Sequence, residues 1–374
     1  MPSSPTDRPS AAPTLWLARG HCPAADAPET VRRTLRALTE REIIDGHLEP
    51  SGTGTDGGHV FEARWRVAGE VTVRARLSLG GGTWTLAAEA ERAWDPRWPS
   101  PATMFWPADA AADWDRETGT GLRLRDINPL PYDEKDLRRL LKGAARATWT
   151  VHVVVHEAMT PDERGRRPLA ALLPPGLAHR VVEHRAAPQQ LRAVNWALRD
   201  SGVEVPRGGA AVLPGDPAPD GWSAPEFAVR TVFLDGSEPT ELLDAVTRFA
   251  ALPRPLPEGA DAAVTALRED WHLLTLEEEL DRQRRLVAMY AEALEAMTRS
   301  RDLYREAAER AHEALAAYRD SPPPGPEKPG AASRGPSPFQ QLTRTLERLK
   351  GSSRPQRPAR HTDAGLSPEQ PEER

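Results

Sequence analysis

The sequence predicts an α+β protein, in which an antiparallel sheet with packed helices forms a ferredoxin-like variant. A long C-terminal helix of the coiled-coil type and a disordered tail are expected to follow. Three segments between residues 61 and 90 alternate apolar and polar side chains, as antiparallel strands with one solvated face do. Residues 273–318 carry a heptad pattern. The last 54 residues hold 11 prolines and few large apolar side chains, a composition typical of disorder.

Length, charge and cysteine content limit the class of protein. The 374 residues allow two to three domains at roughly 150 residues each. The formal net charge of −6 argues against a nucleic-acid partner, which needs a strongly basic surface. Cys22 is the single cysteine, which excludes an internal disulfide and a cysteine-based zinc site. Because no apolar run approaches ~18 residues and residues 1–15 lack a signal-peptide pattern, we expect a cytoplasmic protein without a membrane span.

The first predicted domain covers residues 13–157. The Pro/Ser-rich residues 1–12 precede it, and we expect them to be disordered. Residues 14–17 are the first candidate strand. Asp26, followed by proline and glutamate, is typical of a helix start, so a helix is predicted from there to about residue 44.

Regular elements continue through the rest of this domain. Three strands joined by short turns are predicted at residues 61–67, 71–77 and 84–90. A helix at residues 134–147 then leads into a strand at residues 148–156. We expect one sheet face to be solvated, with its charged side chains paired across strands: Arg64, Arg66, Arg74, Arg76, Glu62, Glu89 and Glu91.

A second α+β segment is predicted at residues 158–258. It contains a candidate helix at residues 188–200, a candidate strand at residues 226–234 and a candidate helix at residues 239–250. These elements either complete the first sandwich or form a second, similar one. The sequence leaves both arrangements open.

A long amphipathic helix is predicted within residues 261–320. Fourteen positions follow steps of three and four residues, and twelve of them are apolar or aromatic. They are Leu273, Leu276, Leu280, Gln283, Val287, Tyr290, Leu294, Met297, Arg301, Tyr304, Ala308, Ala311, Leu315 and Tyr318. A helix over this stripe extends ~70 Å and cannot bury the stripe on itself. We therefore expect it to pack on the α+β region, to self-associate or to bind a protein partner.

The predicted tail, residues 321–374, contains one apolar island within residues 338–350. Phe339, Leu342 and Leu346 fall on one face of a candidate short helix there. Two interpretations stay open. The island is either a segment that folds on binding a groove or a chance helical pattern in a disordered tail.

Patterns that resemble catalytic or cofactor motifs are weak. Residues 52–57 match G-x-G-x-x-G, but a helix is predicted before them and a strand after them, the reverse of the phosphate-binding order. His152 and His156 lie ~13 Å apart along a strand, too far to share a metal. His179 and His184 are five residues apart on a candidate helix, a poor spacing for one ligand face. We therefore predict no cofactor, no metal site and no catalytic residue.

An irregular segment, residues 93–133, concentrates aromatic side chains. They are Trp94, Trp98, Phe105, Trp106, Trp114 and Tyr132. This segment is either an interaction surface or sugar-stacking cleft, with Trp98, Trp106 and Trp114 as candidates, or a cover over the sheet. Asp113 and Asp115 offer paired carboxylates, so an enzyme with this segment as its lid is an alternative. A small-molecule sensor that encloses a ligand beneath the segment is another.

The architecture resembles the CATRA proteins of actinobacteria, named for their association with caspase-like peptidases and TPR repeats in conflict systems. The similarity lies in the opening strand and helix at residues 15–44, in the Trp-rich middle, and in residues 136–151, where a helix runs directly into a strand. With the long helix, it covers roughly residues 15–318. It implies a non-peptidase component of bacterial immunity that works beside a caspase-like effector. We therefore expect a non-enzymatic interaction or adaptor protein, with a caspase-like or TPR protein as candidate partner.

Overall fold

The computed structural model describes residues 11–22, 25–50, 58–107, 114–118, 120–157, 165–233 and 237–320. Within them the predicted α+β class is confirmed: the chain forms one antiparallel sheet, one mixed sheet and a long C-terminal helix. The chain divides into two compact units, the first ending at Arg285 and the second beginning at Leu286. Several predicted features lie outside the described residues, namely the G-x-G-x-x-G match, Asp113, Phe339, Leu342 and Leu346.

The first sheet has five strands, and every neighbouring pair is antiparallel. In chain order come β1 (Leu15–His21), α1 (Ala27–Glu40), β2 (Gly46–Leu48), β3 (His59–Val67), β4 (Val71–Gly80) and β5 (Thr83–Ala90). The strands lie in the order β1-β5-β4-β3-β2. The first strand, the helix and the three alternating strands are confirmed. Helix α1 stops short of residue 44, because Glu42 adopts a φ of 57°, outside the helical region.

The alternation of apolar residues along these strands builds the larger core. One sheet face packs against α1 and against the Trp-rich segment. Its large buried side chains include Trp16, Phe61, Trp65, Leu77 and Trp84, with Val31 and Leu35 from α1. A shift of one residue in strand pairing would turn this apolar set toward the other face, so the buried face specifies the register.

The opposite face of this sheet, predicted to be solvated, is covered in part by helix α5 (Ala260–Glu269), while Arg66 and Glu91 on it remain exposed. The apolar cluster between them consists of Leu17, Ala87, Trp149, Leu256, Ala260, Val264, Leu267 and Trp271. As a result, Glu62 and Arg76 are 0% and 6% exposed. The predicted cross-strand pairing does occur, since Arg76 lies 2.7 Å from Glu62 and Arg74 lies 3.9 Å from Glu89.

The second sheet is mixed and lies between helices. Its elements are β6 (Ile127–Pro129), α2 (Glu134–Ala144), β7 (Val151–His156), β8 (Val181–Ala186), α3 (Leu191–Leu198), β9 (Ala210–Val212), β10 (Ala228–Val229) and α4 (Thr240–Ala251). The strand order is β10-β9-β7-β8-β6, with β8 parallel to both of its neighbours. Helix α4 covers one face, and α2 and α3 cover the other. Because β7 pairs with β8 and β9, this sheet spans the domain boundary predicted at residue 157.

Two local predictions in this sheet are wrong. The candidate helix that carried His179 and His184 is replaced by strand β8 from Val181 onward, because neighbouring β-branched residues favour an extended chain. The strand predicted at residues 226–234 shrinks to the two residues of β10. Phe233, near its predicted end, has a φ of 54°, which a strand does not allow.

The long helix, α6 (Leu276–Asp320), is confirmed, but it begins later than predicted. Residues 270–275 separate it from α5. Thr275 starts it with a capping box: the Thr275 hydroxyl accepts from the Glu278 amide at 3.0 Å, and the Glu278 carboxylate accepts from the Thr275 amide at 2.7 Å. Leu273 therefore precedes the helix and packs against the cluster under α5, so its assignment to the helical stripe is wrong.

Buried Glu62 on β3 attaches the segment before α6 to the first sheet. Its carboxylate accepts from Arg76 Nη1 at 2.7 Å and from the backbone amides of His272 and Leu273 at 2.8 and 2.9 Å. Arg76 in turn donates to the carbonyl oxygen of Asp270. Both charges are thus paired and hydrogen-bonded, as buried charges must be. One carboxylate consequently fixes the position from which the long helix starts.

We predict that Glu62→Gln destabilises the first unit. The neutral amide leaves the Arg76 guanidinium buried without its counter-charge, which typically costs about 3–5 kcal/mol. Urea unfolding followed by tryptophan fluorescence measures the change. Glu70→Gln, which neutralises an exposed carboxylate in the β3–β4 turn, is the matched control. Equal unfolding midpoints for the two variants would contradict the structural role of Glu62.

Candidate functional site

The apolar stripe of α6 is the first candidate site, and it is exposed. None of the 45 residues of this helix is buried. The exposed fraction of its stripe side chains lies between 52% and 88%; they are Leu276, Leu280, Val287, Tyr290, Leu294, Met297, Tyr304, Leu315 and Tyr318. Single exposed apolar residues are common on proteins, whereas extended exposed apolar patches are found more often at interaction sites.

The order of residues along the stripe is that of a coiled-coil seam. Leu280, Val287 and Leu294 occupy successive a positions, and Tyr290 and Met297 occupy d positions. Gln283 and Arg301 interrupt the seam, as predicted from the sequence. With a rise of 1.5 Å per residue, α6 extends ~67 Å. This length offers a partner helix many successive layers of contact.

The face of α6 opposite the stripe carries ion pairs within the helix. Arg299 lies 3.1 Å from Glu295, and Arg310 lies 3.1 Å from Glu306. Such pairs, four residues apart and exposed, contribute about 0.3–0.5 kcal/mol each. They favour the helical state of the segment in water, but most of the stability of a protein helix comes from packing of its apolar face. The stripe is therefore the part of α6 that gains from a partner.

The aromatic candidates of the irregular segment lie in the core. Trp98, Trp106 and Trp114 are each less than 10% exposed. The rings of Trp106 and Trp114 stack with centroids 4.7 Å apart, and Trp84 of β5 donates its indole N–H to the Trp114 carbonyl oxygen at 3.0 Å. Among the interpretations left open, the burial of these three tryptophans against the sheet favours the segment as a cover over the sheet. In this conformation these three tryptophans are not available to a partner.

Asp115 lies beneath this cover, and its carboxylate is buried from solvent. Arg125 Nη1 lies 3.0 Å from its Oδ2, and His179 Nε2 lies 3.8 Å from its Oδ1. Burial raises the pKa of Asp115 to about 6, against the opposing effect of Arg125. Burial likewise lowers the pKa of His179 to about 3, so this imidazole is neutral. The arrangement is an enclosed polar cluster packed against Trp106.

A histidine pair that the sequence analysis missed joins two strands of the second sheet. His152 Nδ1 on β7 and His184 Nε2 on β8 are 2.9 Å apart, and the Thr150 hydroxyl lies 2.9 Å from His152 Nε2. Burial lowers the pKa of both rings, that of His184 to about 4. The pair could be found only by recognising β8 as a strand, since the two residues are 32 positions apart.

These buried groups do not assemble a recognisable reactive centre. Within the described ranges, no group of three or more His, Cys, Asp or Glu side chains is placed to hold a metal ion. His152 and His184 are 2% and 0% exposed, so a substrate does not reach them in this conformation. Neutral histidines that hydrogen-bond to each other act here as parts of the core.

We predict that these histidines make the first unit acid-sensitive. Because their native pKa values lie below the ordinary 6.5, the native state binds fewer protons than the unfolded chain as the pH falls below 6.5. The free energy of unfolding should therefore decrease on acidification, by up to about 1.4 kcal/mol per pH unit for each histidine. Asp115, whose pKa is raised to about 6, opposes this between pH 6 and 4.

Urea unfolding at pH 7 and pH 5 checks this dependence. His184→Gln should show a smaller difference between the two pH values than the wild type. His312→Gln replaces an exposed histidine of α6 and should leave the difference unchanged. A His184→Gln protein with the wild-type pH dependence would show that this buried ring does not control the acid response.

Comparison with known proteins provides no relative from which a function follows. No protein-family model, no curated protein and no solved structure matches this chain. Among the helices of the described residues, none combines the length and the hydropathy needed to cross a lipid bilayer. The residues and geometry of the chain itself therefore carry the functional interpretation.

Proposed function

We propose that this chain is a non-enzymatic interaction component, in which the α+β region holds a long helix for docking of a protein partner. The exposed seam of α6 is the observation that carries this proposal. A helix with such a seam pairs with another helix in coiled-coil fashion, each seam side chain entering a hole between four side chains of the partner. The coiled coil is therefore the proposed bound state of α6.

The energetics favour binding along the stripe. Covering a large apolar side chain such as Leu294 or Tyr304 contributes about 1.5–3 kcal/mol relative to leaving it in water. Association costs on the order of 4–15 kcal/mol in lost translational and rotational freedom, with further costs for ordering side chains. Several covered positions are therefore needed for stable binding, and the seam supplies four successive ones from Val287 to Met297 and continues beyond Arg301 at Tyr304.

The proposed setting follows from the resemblance to CATRA proteins. It is a cytoplasmic conflict system in which this chain works beside a caspase-like effector, with a caspase-like or TPR protein as the docking partner. The ferredoxin-like description of the α+β region belongs to the same proposal, and the β-α-β order at its start supports it.

The alternatives of an enzyme and a sensor have less support. An enzyme that uses loop carboxylates would need an accessible acid, whereas Asp115 is buried and paired with Arg125. A sensor would need space beneath the aromatic segment. There, Trp106 packs directly against Trp84 and Trp114.

We predict that the stripe is in direct contact with a protein in the cell. A photo-crosslinking phenylalanine derivative replaces Tyr304 on the stripe or, as a matched control, Ala316 on the polar face. Irradiation of the native host should give a discrete protein adduct at position 304 and not at 316. Adding Leu294→Glu should reduce the adduct at least about tenfold, because it places an unpaired charge in the seam.

The control for the added charge is Ala288→Glu, which introduces the same carboxylate on the polar face. It should leave the adduct at position 304 intact. No adduct at 304, or equal adducts at 304 and 316, would contradict docking along the stripe.

A further inference from the structure

Charge is distributed unevenly around α6 beyond Arg285. A coiled-coil partner contacts the seam positions a and d and the flanking positions e and g. Over residues 286–320, these four positions contain no carboxylate. The bases on them are Arg301 in the seam and Arg305 and Arg319 on one flank, where His312 also lies.

The carboxylates of the same segment all lie on the other side of the helix. They occupy positions b and f, and they are Glu292, Glu295, Asp302, Glu306, Glu309, Glu313 and Asp320. The remaining bases of the segment, Arg299 and Arg310, lie among them and pair with Glu295 and Glu306. The docking face is thus basic, and the opposite face is acidic.

A second copy of α6 does not complement this docking face. In a parallel, in-register pair, Arg301 would meet its own copy in an a layer, and the flanks would place Arg305 opposite Ser300 and Arg319 opposite Ala314. Like charges in contact are unfavourable, and polar residues at a positions lower stability.

An antiparallel pair of two copies also places few carboxylates opposite the bases of the docking face. The carboxylates on the flanks of α6 lie in its first heptad, at Glu277 and Glu279. A fully overlapping antiparallel pair brings Glu277 opposite Arg319, but it also brings Arg284 opposite His312. Neither arrangement of two copies places a carboxylate opposite Arg301 or Arg305.

The contacts that these arginines make within the helix leave them able to bind carboxylates from outside. Arg301 lies 3.1 Å from Asp302, and Arg305 lies 3.4 Å from Glu309. All four side chains are more than half exposed. Exposed pairs of this kind are weak and exchange readily. A partner carboxylate held in place beside the seam can therefore replace them.

We infer that the helix that docks on α6 belongs to a different protein and carries acidic residues beside its apolar seam, on the flank that faces Arg305 and Arg319. This inference rests on the proposed docking function and adds the chemistry of the partner. Apolar side chains of the partner cover the stripe, and its carboxylates face Arg305, Arg319 and the seam residue Arg301. Charge complementarity then selects this partner over a second copy.

Two synthetic amphipathic peptides of equal length test the inference against the full chain. Both carry leucine at a and d, and one carries glutamate and the other lysine at e and g. We expect the glutamate peptide to bind about tenfold more tightly, and the difference to shrink at high salt, because a few exposed ion pairs account for it. The readout is the dissociation constant from fluorescence anisotropy.

Charge-reversal variants complete the test. Arg305→Glu with Arg319→Glu should reverse the preference between the two peptides. The matched control, Arg299→Glu with Arg310→Glu, makes the same charge change on the acidic side of the helix. It should retain the preference for the glutamate peptide. Sedimentation velocity of the chain alone should show no dimer that forms through the stripe, that is, no dimer that Leu294→Glu dissociates.

The outcomes separate this inference from the proposed function. Equal binding of both peptides, or a dimer that Leu294→Glu dissolves, would overturn the acidic partner and leave docking along the stripe standing. If neither peptide binds, the acidic partner is also overturned, and the crosslinking result at position 304 then decides the docking function on its own.

Discussion

A single buried carboxylate, that of Glu62, connects the first sheet to the segment that precedes the long helix. Glu62 lies in the middle of β3, and it is fully enclosed by Arg76 and by the amides of His272 and Leu273. Burying a charge is favourable only when it is paired and hydrogen-bonded, so the sheet and the segment before α6 depend on each other. Thr275 and Glu278 then start the helix within a few residues of that contact. The start of α6 is consequently part of the core.

The remainder of α6 differs from its start, because its apolar side chains are exposed to water and not buried in a core. Most of the seam lies in the second unit. From Val287 to Tyr304, every large apolar side chain of the seam is more than half exposed. A protein gains nothing in stability from such a row on its own. In the proposed docking function, a partner helix covers this row, and the arginines beside it restrict which helix can do so.

Local periodicity revealed much of the fold, and contacts between distant residues were hidden from it. The alternation along β3, β4 and β5 and the heptads of α6 are properties of short windows, so both were predictable. The contact of Glu62 with His272 joins residues 210 positions apart, and no window shows it. The start of α6 was predictable in principle, since Thr275 and Glu278 match a capping box. It was placed too early because Leu273 also fits the heptad spacing. Of the candidate site, the seam was predictable, whereas the burial of Trp106 and Trp114 depended on tertiary packing.

Hydrogen–deuterium exchange of the full chain, at a concentration where it is monomeric, tests most directly whether α6 lacks a covering surface within its own molecule. Amides in strands β3 to β5 should exchange slowly, since they open only with the core. Amides of residues 286–320 should exchange orders of magnitude faster, because an uncovered helix opens by local unfolding, without unfolding of the core. Slow exchange of residues 286–320 in the monomer would mean that the chain itself covers the stripe, and docking of another protein there would be excluded.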